Sequence, residues 1–219
     1  MDVSRETPST PELARRAFSS ELLPVAERFV ASLATIGVER GLIGPREAPK
    51  LWERHVLNCL ALSSVVPPRS SVADLGSGAG LPGLVLAIGR PDLSVTLVEP
   101  LLRRTTFLEE QVSALGLENV RVHRGRAEEL HGAVTFDVVT ARALAPLDRL
   151  LGWGMPLVGA GGVLLAMKGS SAPDEVDAAA TVMRELGCST PEILEVTGPA
   201  GSSTATVVRV VRADPARLG

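Results

Sequence analysis

Glycines and carboxylates are spaced along one stretch of this chain as they would be around a bound nucleotide. Gly76, Gly78 and Gly80 follow the short, mostly apolar run 72–75, and Pro82 comes two positions after Gly80. Glycine lets the backbone turn sharply and lets a ligand approach the main chain closely. The free N–H groups at the start of a following helix would face that ligand. The stretch therefore predicts a nucleotide-type binding loop between a buried strand and a helix.

The loop fits two cofactor patterns, with a purely structural glycine turn as the alternative. Gly78, Gly80 and Gly83 match the dinucleotide pattern G-x-G-x-x-G. Asp74 begins a run that also matches the acidic-x-G-x-G-x-G loop of proteins that bind S-adenosylmethionine (SAM). Glu99 ends the next predicted strand, where a carboxylate can accept hydrogen bonds from a ribose. Both cofactors carry a ribose, so Glu99 indicates a nucleoside without naming it.

Four basic side chains could act on a substrate near that loop. Arg142 follows the fourth predicted strand and Lys168 ends the fifth. The carboxyl ends of parallel strands share one edge, where ligands of such sheets bind. Arg54 and His55 lie on a helix that precedes the sheet. The alternatives are a surface ion pair for Arg142, an ordinary strand-terminal lysine, and a structural hydrogen bond for His55.

The elements that must position these side chains alternate along most of the chain. The sequence predicts strands at 72–75, 95–98, 120–123, 136–140, 162–167, 193–196 and 206–211, and helices at 84–88, 101–115, 126–130, 146–157 and 173–186. Such alternation predicts a mostly parallel sheet with helices on both faces. The last two strands have no helix between them and should pair antiparallel. The predicted fold is α/β: a Rossmann-like, class I SAM-dependent methyltransferase with seven strands and a C-terminal antiparallel hairpin.

A helical section precedes the sheet. Helices are expected at 12–18, at 21–40 with Gly37 as the C-cap, and from Pro45 to about residue 66. We therefore predict an N-terminal helical extension over residues 1–69 and a SAM-binding methyltransferase domain over residues 70–219.

Composition restricts the class of partner. The chain has 219 residues, of which 45% are hydrophobic, and a formal net charge of −3. This charge gives no global attraction to nucleic acid, so RNA binding would depend on local arginines. Candidates cluster near the second and third strands: Arg103, Arg104, Arg121, Arg124 and Arg126.

Cysteine and hydropathy patterns predict a cytosolic protein without a bound metal. Cys59 and Cys188 are far apart, with neither a C-x-x-C pattern nor a neighbouring histidine, and are expected in the core. No apolar run reaches the roughly 18 residues that a membrane span needs. Trp52 and Trp153 are also expected to be core or helix-packing residues.

Several short motifs occur together in an order that is typical of one family. They are Arg54-His55, the glycine loop extended by Leu81-Pro82-Gly83, Arg126-Ala127-Glu128, Arg142-Ala143 and Met167-Lys168-Gly169. With these motifs the chain resembles the RsmG (GidB) family, bacterial methyltransferases that act on guanine N7 in 16S ribosomal RNA, at G527 of the 530 loop. The resemblance runs from about residue 51 to the end of the chain.

The resemblance implies a cofactor, a partner and individual site residues. SAM would be the cofactor, with Gly76 and Leu81 in contact with it and Ala127 and Glu128 beside its adenine. Arg142 would lie at the boundary between cofactor and substrate. The 16S RNA, alone or in the small ribosomal subunit, would be the substrate, and the protein is expected to be a monomer. Two positions depart from the family pattern: Asn58 and Glu99 stand where many relatives carry an acid and an aspartate, respectively.

The segment after the fourth strand agrees with this chemistry. It contains neither the Asn/Asp-Pro-Pro-aromatic motif of amino-group methyltransferases nor the Pro-Cys of carbon-5 pyrimidine enzymes. Guanine N7 carries a free lone pair, so methyl transfer would rest on positioning rather than on a general base. A small-molecule SAM methyltransferase and a non-catalytic sensor of SAM or a dinucleotide are the alternatives.

Overall fold

A seven-stranded sheet forms the centre of the protein, whose computed structural model describes residues 8–212. The strands are β1 (Ser71–Leu75), β2 (Ser94–Val98), β3 (Val120–His123), β4 (Phe136–Arg142), β5 (Val158–Lys168), β6 (Glu192–Thr197) and β7 (Thr204–Val211). Their order across the sheet is β3-β2-β1-β4-β5-β7-β6. The sequence-based prediction of seven strands is confirmed.

The first five strands are parallel, and their registers align their carboxyl ends. Leu75 pairs with Val98, Val98 with His123, and Arg142 with Met167. Strand β7 runs antiparallel to both β5 and β6, so the predicted antiparallel hairpin is confirmed. Because β1 and β4 are neighbours in the middle of the sheet, the chain reverses its direction of winding between them. That point is where open α/β sheets bind ligands.

Helices cover both faces of the sheet. After β1 these are α4 (Gly83–Gly89), α5 (Leu102–Leu115), α6 (Leu147–Gly154) and α7 (Ala172–Glu185), with 3-10 turns at Ala127–Leu130 and Met155–Leu157. Pro82 is the N-cap residue of α4, and Gly116 ends α5 in the left-handed conformation that glycine adopts readily. Strand β5 begins four residues earlier than its apolar pattern indicates, because Gly159 to Gly162 continue the strand.

The N-terminal section is helical, but less regular than its sequence pattern suggests. It contains α1 (Glu12–Ala17), α2 (Leu23–Ser32) and α3 (Asn58–Ala61), with π-helical turns at Leu33–Gly37 and Leu51–Leu57 and 3-10 turns at Ala48–Lys50 and Leu62–Ser64. The prediction of Gly37 as a C-cap is wrong, since helical structure continues through residue 39. The prediction that Pro45 opens the next helix is also wrong, because that helical stretch begins at Ala48.

This section packs directly onto the sheet domain. Phe29, Leu33 and Trp52 belong to the same buried cluster as Leu84 and Leu86 of α4. Burial of large side chains of this kind contributes roughly 1.5–3 kcal/mol each. The predicted boundary at residue 69 therefore separates two parts of the sequence that share one core.

Two polar contacts reinforce this packing. The Arg90 guanidinium, at the end of α4, donates to the carbonyl oxygens of Ser63 and Val66 at 3.0 and 3.1 Å. Arg40 forms an ion pair of 2.7 Å with Glu110 of α5. The N-terminal section is thus anchored at both the end of α4 and the outer face of α5.

Candidate functional site

The glycine loop after β1 needs glycine at specific positions. Gly76, Gly78 and Gly80 have φ angles of 67°, 56° and 89°, which residues with a Cβ atom rarely adopt. A Cβ atom at position 76 would also overlap a methyl group of Leu144. Both requirements follow from the sharp turn that the chain makes between β1 and α4.

Asp74, near the end of β1, is hydrogen-bonded to both ends of this loop. Its Oδ2 accepts a hydrogen bond of 3.0 Å from the backbone N–H of Gly83, at the start of α4, while its Oδ1 has no partner. The Ser77 hydroxyl donates to the Asp74 carbonyl oxygen at 2.8 Å. Asp74 is fully buried, and burial raises the pKa of its carboxyl to about 7. Its side chain orders the loop and lines none of the three cavities described below.

Glu99 follows β2 with its carboxylate directed at the loop. One oxygen accepts from the backbone N–H of Leu101 at 3.0 Å, and the other accepts from the N–H of Gly78 at 3.0 Å. Arg104 lies 3.4 Å from that second oxygen. The side chain is only 1% exposed, so a ribose would have to replace the Arg104 contact or use a remaining lone pair.

A small apolar cavity of about 230 Å³ lies on one side of Gly76. Ala127 and Glu128 line it, as do Val98, Leu144 and Trp153. These dimensions and this lining suit a flat aromatic ring such as adenine. Trp153 is half-buried, with the Arg149 guanidinium of the same helix 5.1 Å from its ring centroid, so of the two expected roles, core or helix packing, it does not have the first. Trp52, by contrast, is buried as predicted.

A second cavity, of about 300 Å³, is also lined by Gly76. Its lining includes the predicted site residues Gly78, Leu81, His55 and Arg142, together with Arg104. Two guanidinium groups face a space floored by loop backbone, an arrangement that suits a carboxylate such as that of a methionine moiety.

An open cleft of about 930 Å³ adjoins the second cavity, since His55, Arg142 and Ala143 line both. Arg54, His55, Arg142 and Lys168, the four predicted catalytic residues, all line this cleft. The structure thus brings together side chains that lie more than a hundred positions apart. Gly80, like Asp74, lines none of the three cavities.

Arg142 connects the end of β4 to the N-terminal section. Its guanidinium donates to the Cys59 Sγ at 3.1 Å, the Arg54 carbonyl oxygen at 3.1 Å and the His55 Nδ1 at 3.0 Å. Cys59 is a buried free thiol, as expected, and burial raises its pKa to about 11. A guanidinium has five N–H groups, so two remain for ligands in the adjoining cavities.

His55 is held between a cation and an anion. Its Nδ1 accepts from Arg142, and its Nε2 donates to the Glu47 carboxylate at 3.0 Å. Burial and the positive charge of Arg142 hold the pKa of His55 below its usual value, although Glu47 acts in the opposite direction. His55 is therefore neutral at neutral pH, and its two partners fix its tautomer.

Lys168 is also engaged by neighbouring groups. Its Nζ donates to the Ala145 carbonyl oxygen at 2.8 Å and to the Glu175 carboxylate at 2.6 Å. The sequence does not predict Glu175 and Glu47 as site residues, because neither stands in a motif. Each contacts its partner, Lys168 and His55 respectively, only in the folded chain. The same holds for Leu144 and Trp153, which carry no local signal of their cavity positions.

Three of the other predicted arginines follow the carboxyl ends of β2 and β3, whereas Arg121 lies within β3. Arg103, Arg124 and Arg126 are exposed, and Arg126 lines the apolar cavity. No group of three or more His, Cys, Asp or Glu residues within 8–212 is arranged to hold a metal ion. None of the helices in that range combines the length and the hydropathy that a membrane span requires.

The chain is similar to a family of ribosomal RNA enzymes over most of its length. Residues 23–200 match the model of the GidB family, described as rRNA small subunit methyltransferase G. A protein of that name from Nocardioides sp. is 64% identical over 217 residues, covering 99% of this chain and 87% of the relative. A protein of the same name from Thermobifida fusca is 54% identical, covering 91% of this chain and 84% of the relative.

Solved structures share the fold at low identity. A SAM-dependent methyltransferase from Aquifex aeolicus has a TM-score of 0.57 at 17% identity, covering 80% of this chain and 98% of the other. A SAM-dependent O-methyltransferase from Thermotoga maritima has a TM-score of 0.55 at 15% identity, covering 84% of this chain and 71% of the other. These neighbours confirm the predicted methyltransferase fold class.

Proposed function

Because this chain belongs to the GidB family of rRNA small subunit methyltransferases, we propose that it methylates N7 of a guanine in 16S ribosomal RNA, at G527 of the 530 loop. Its cofactor is SAM. The observation that carries the proposal is the arrangement of three adjoining spaces: an apolar cavity for adenine, a cavity with two arginines, and an open cleft.

In this proposal SAM lies across the glycine loop. Its adenine occupies the cavity lined by Ala127 and Glu128, its ribose meets Glu99, and its methionine carboxylate faces Arg104 or Arg142. The sulfonium methyl group then points toward the cleft, where the guanine enters. SAM supplies the methyl group, and the protein holds N7 in line with it.

This chemistry needs no group that removes a proton. Guanine N7 is already nucleophilic, and His55, the one histidine among the described residues that line the cleft, has both ring nitrogens occupied by Arg142 and Glu47. Arg142 is best placed to orient a phosphate or guanine O6 with its remaining N–H groups. Arg54, which is 63% exposed, is available for the RNA backbone.

We further propose that the protein acts as a monomer, without a metal, in the cytoplasm where ribosomal subunits are assembled. The exposed Arg103, Arg124 and Arg126 would contact phosphates, so RNA affinity should fall as salt concentration rises.

Incubation with labelled SAM and small ribosomal subunits that lack the modification tests the main proposal. We expect label at one guanine of the 16S RNA, identified as 7-methylguanine by nucleoside mass spectrometry. Label on another base, or none on the RNA, would contradict it. Separate calorimetric titrations with SAM and NAD test the cofactor, and binding of SAM alone is expected.

A further inference from the structure

We propose that Glu175 on α7 is a positioning residue for methyl transfer, acting through Lys168 and the backbone of Leu147 to hold residues 143–147 in their active conformation. These five residues are the connection 143–146 between β4 and α6 together with the first residue of α6, and we call them the post-β4 segment. The inference rests on the proposed function and adds to it a residue that lines the open cleft and acts through its contacts with Lys168 and Leu147.

The Glu175 carboxylate is the centre of a compact set of contacts. Its Oε2 accepts from Lys168 Nζ at 2.6 Å and from the backbone N–H of Leu147 at 3.0 Å. Its Oε1 accepts from the Ser171 hydroxyl at 2.9 Å. Lys168 Nζ also donates to the Ala145 carbonyl oxygen at 2.8 Å. The post-β4 segment is therefore tied at Ala145 by the lysine and at Leu147 by the glutamate.

The pair is largely removed from solvent. The side chain of Lys168 is 9% exposed and that of Glu175 is 22% exposed, so solvent screens their attraction less than at an open surface. Burial acts to raise the pKa of Glu175, but hydrogen bonds from Lys168 and Ser171 outweigh it and leave the pKa below its usual value. Glu175 therefore remains charged at neutral pH and holds Lys168 in place.

The post-β4 segment needs such support because its backbone is strained. Ala143 has a φ of 51°, a left-handed conformation that is unfavourable for a residue with a Cβ atom. Strained positions persist only where surrounding contacts fix them, and they are common at functional sites. Ala143 lines both the two-arginine cavity and the cleft.

The strained position lies between two residues that line the site. The next residue, Leu144, lies against Gly76 and lines both the adenine cavity and the cleft. Arg142 immediately precedes the strained residue. The contacts of Glu175 thus determine where the cofactor cavities end and where the guanine would enter.

Glu175→Gln tests the inference, with Asp174→Asn as the matched control one position earlier on the same helix, where the side chain is exposed. The measurements are the rate of methyl transfer at saturating SAM and small subunits, the affinity for SAM by calorimetry, and the thermal midpoint. Loss of a hydrogen bond between charged groups predicts a rate roughly tenfold lower for Glu175→Gln. The midpoint should fall by only a few degrees, and Asp174→Asn should behave as the wild type.

A double-mutant cycle separates positioning from simple stabilisation. If Glu175 and Lys168 act as one unit, Glu175→Gln combined with Lys168→Met should be no slower than the slower single variant, within about twofold. Additive losses would overturn the inference. So would a Glu175→Gln protein with a lowered midpoint and an unchanged saturated rate.

Glu175→Asp decides the matter if Glu175→Gln does not fold. The shorter side chain keeps the charge but cannot reach both Lys168 and Leu147. The rate of Glu175→Asp should therefore lie between those of the wild type and Lys168→Met. A wild-type rate for Glu175→Asp would overturn the inference. A wild-type protein that fails to methylate the subunits contradicts the proposed function instead, so the two failures are distinguishable.

Discussion

The buried carboxyl of Asp74, below the glycine loop, should make the free energy of unfolding of the protein depend on pH. Its pKa in the folded chain is about 7, against 3.8 for a solvated aspartate. The folded state therefore binds the proton more tightly than the unfolded state between these values. Stability is expected to fall as pH rises through this range and to level off above pH 7.

The size of the effect follows from the shift. About three pKa units correspond to about 4 kcal/mol in total, of which about 3 kcal/mol is lost between pH 5 and pH 8.5. Asp74→Asn removes the titration and keeps an oxygen that can accept from the Gly83 N–H. At low pH the variant should be less stable than the wild type, because its amide adds buried N–H groups without acceptors. At high pH this difference should shrink by about 3 kcal/mol.

Urea unfolding followed by circular dichroism at pH 5 and pH 8.5 measures this difference. The exposed Asp177→Asn variant serves as the control and should follow the wild type at both values. A parallel pH dependence of wild type and Asp74→Asn would refute the reasoning. SAM affinity should change little in Asp74→Asn, since Asp74 lines none of the three cavities described above.

Three further outcomes are expected around the cleft. In a pH profile of kcat, methyl transfer should decline below pH 6.5, as His55 gains a proton and stops accepting the hydrogen bond from Arg142. The His55→Asn variant should not show that decline, because its amide oxygen can still accept the bond. Arg142→Lys should lower kcat/KM roughly 30-fold, about 2 kcal/mol, because an ammonium cannot reproduce the guanidinium contacts; a change under threefold contradicts this. Gly76→Ala should weaken SAM binding in calorimetry by about tenfold, through its positive φ and the overlap with Leu144; unchanged affinity contradicts it.

The elements that the sequence predicted are those with local signals. The apolar run before Gly76, the glycine spacing itself and the alternation of strands and helices all depend on neighbouring residues. Two residues predicted on the family resemblance, Ala127 and Glu128, line the apolar cavity that we propose for adenine.

Sequence reasoning failed where contacts are distant or helices are irregular. Arg142 and His55 are 87 positions apart, and Glu175 meets the Leu147 backbone 28 positions away. No periodic pattern specifies such pairs, because they depend on how strands β4 and β5 are placed beside the N-terminal section. The π-helical turn Leu51–Leu57 has the same apolar spacing as an ordinary helix, so its widened geometry also leaves no signal.

The contacts of Arg142 make the catalytic site depend on correct docking of the N-terminal section. Its three protein acceptors are supplied by a stretch synthesised some eighty residues earlier, so the guanidinium is oriented only after both ends of that span have docked. A chain whose first helices are loosened by mutation should keep its glycine loop and its adenine cavity, yet transfer methyl groups slowly. Destabilising substitutions far from the cleft, such as in the Arg40–Glu110 contact, would then appear as catalytic defects in cells.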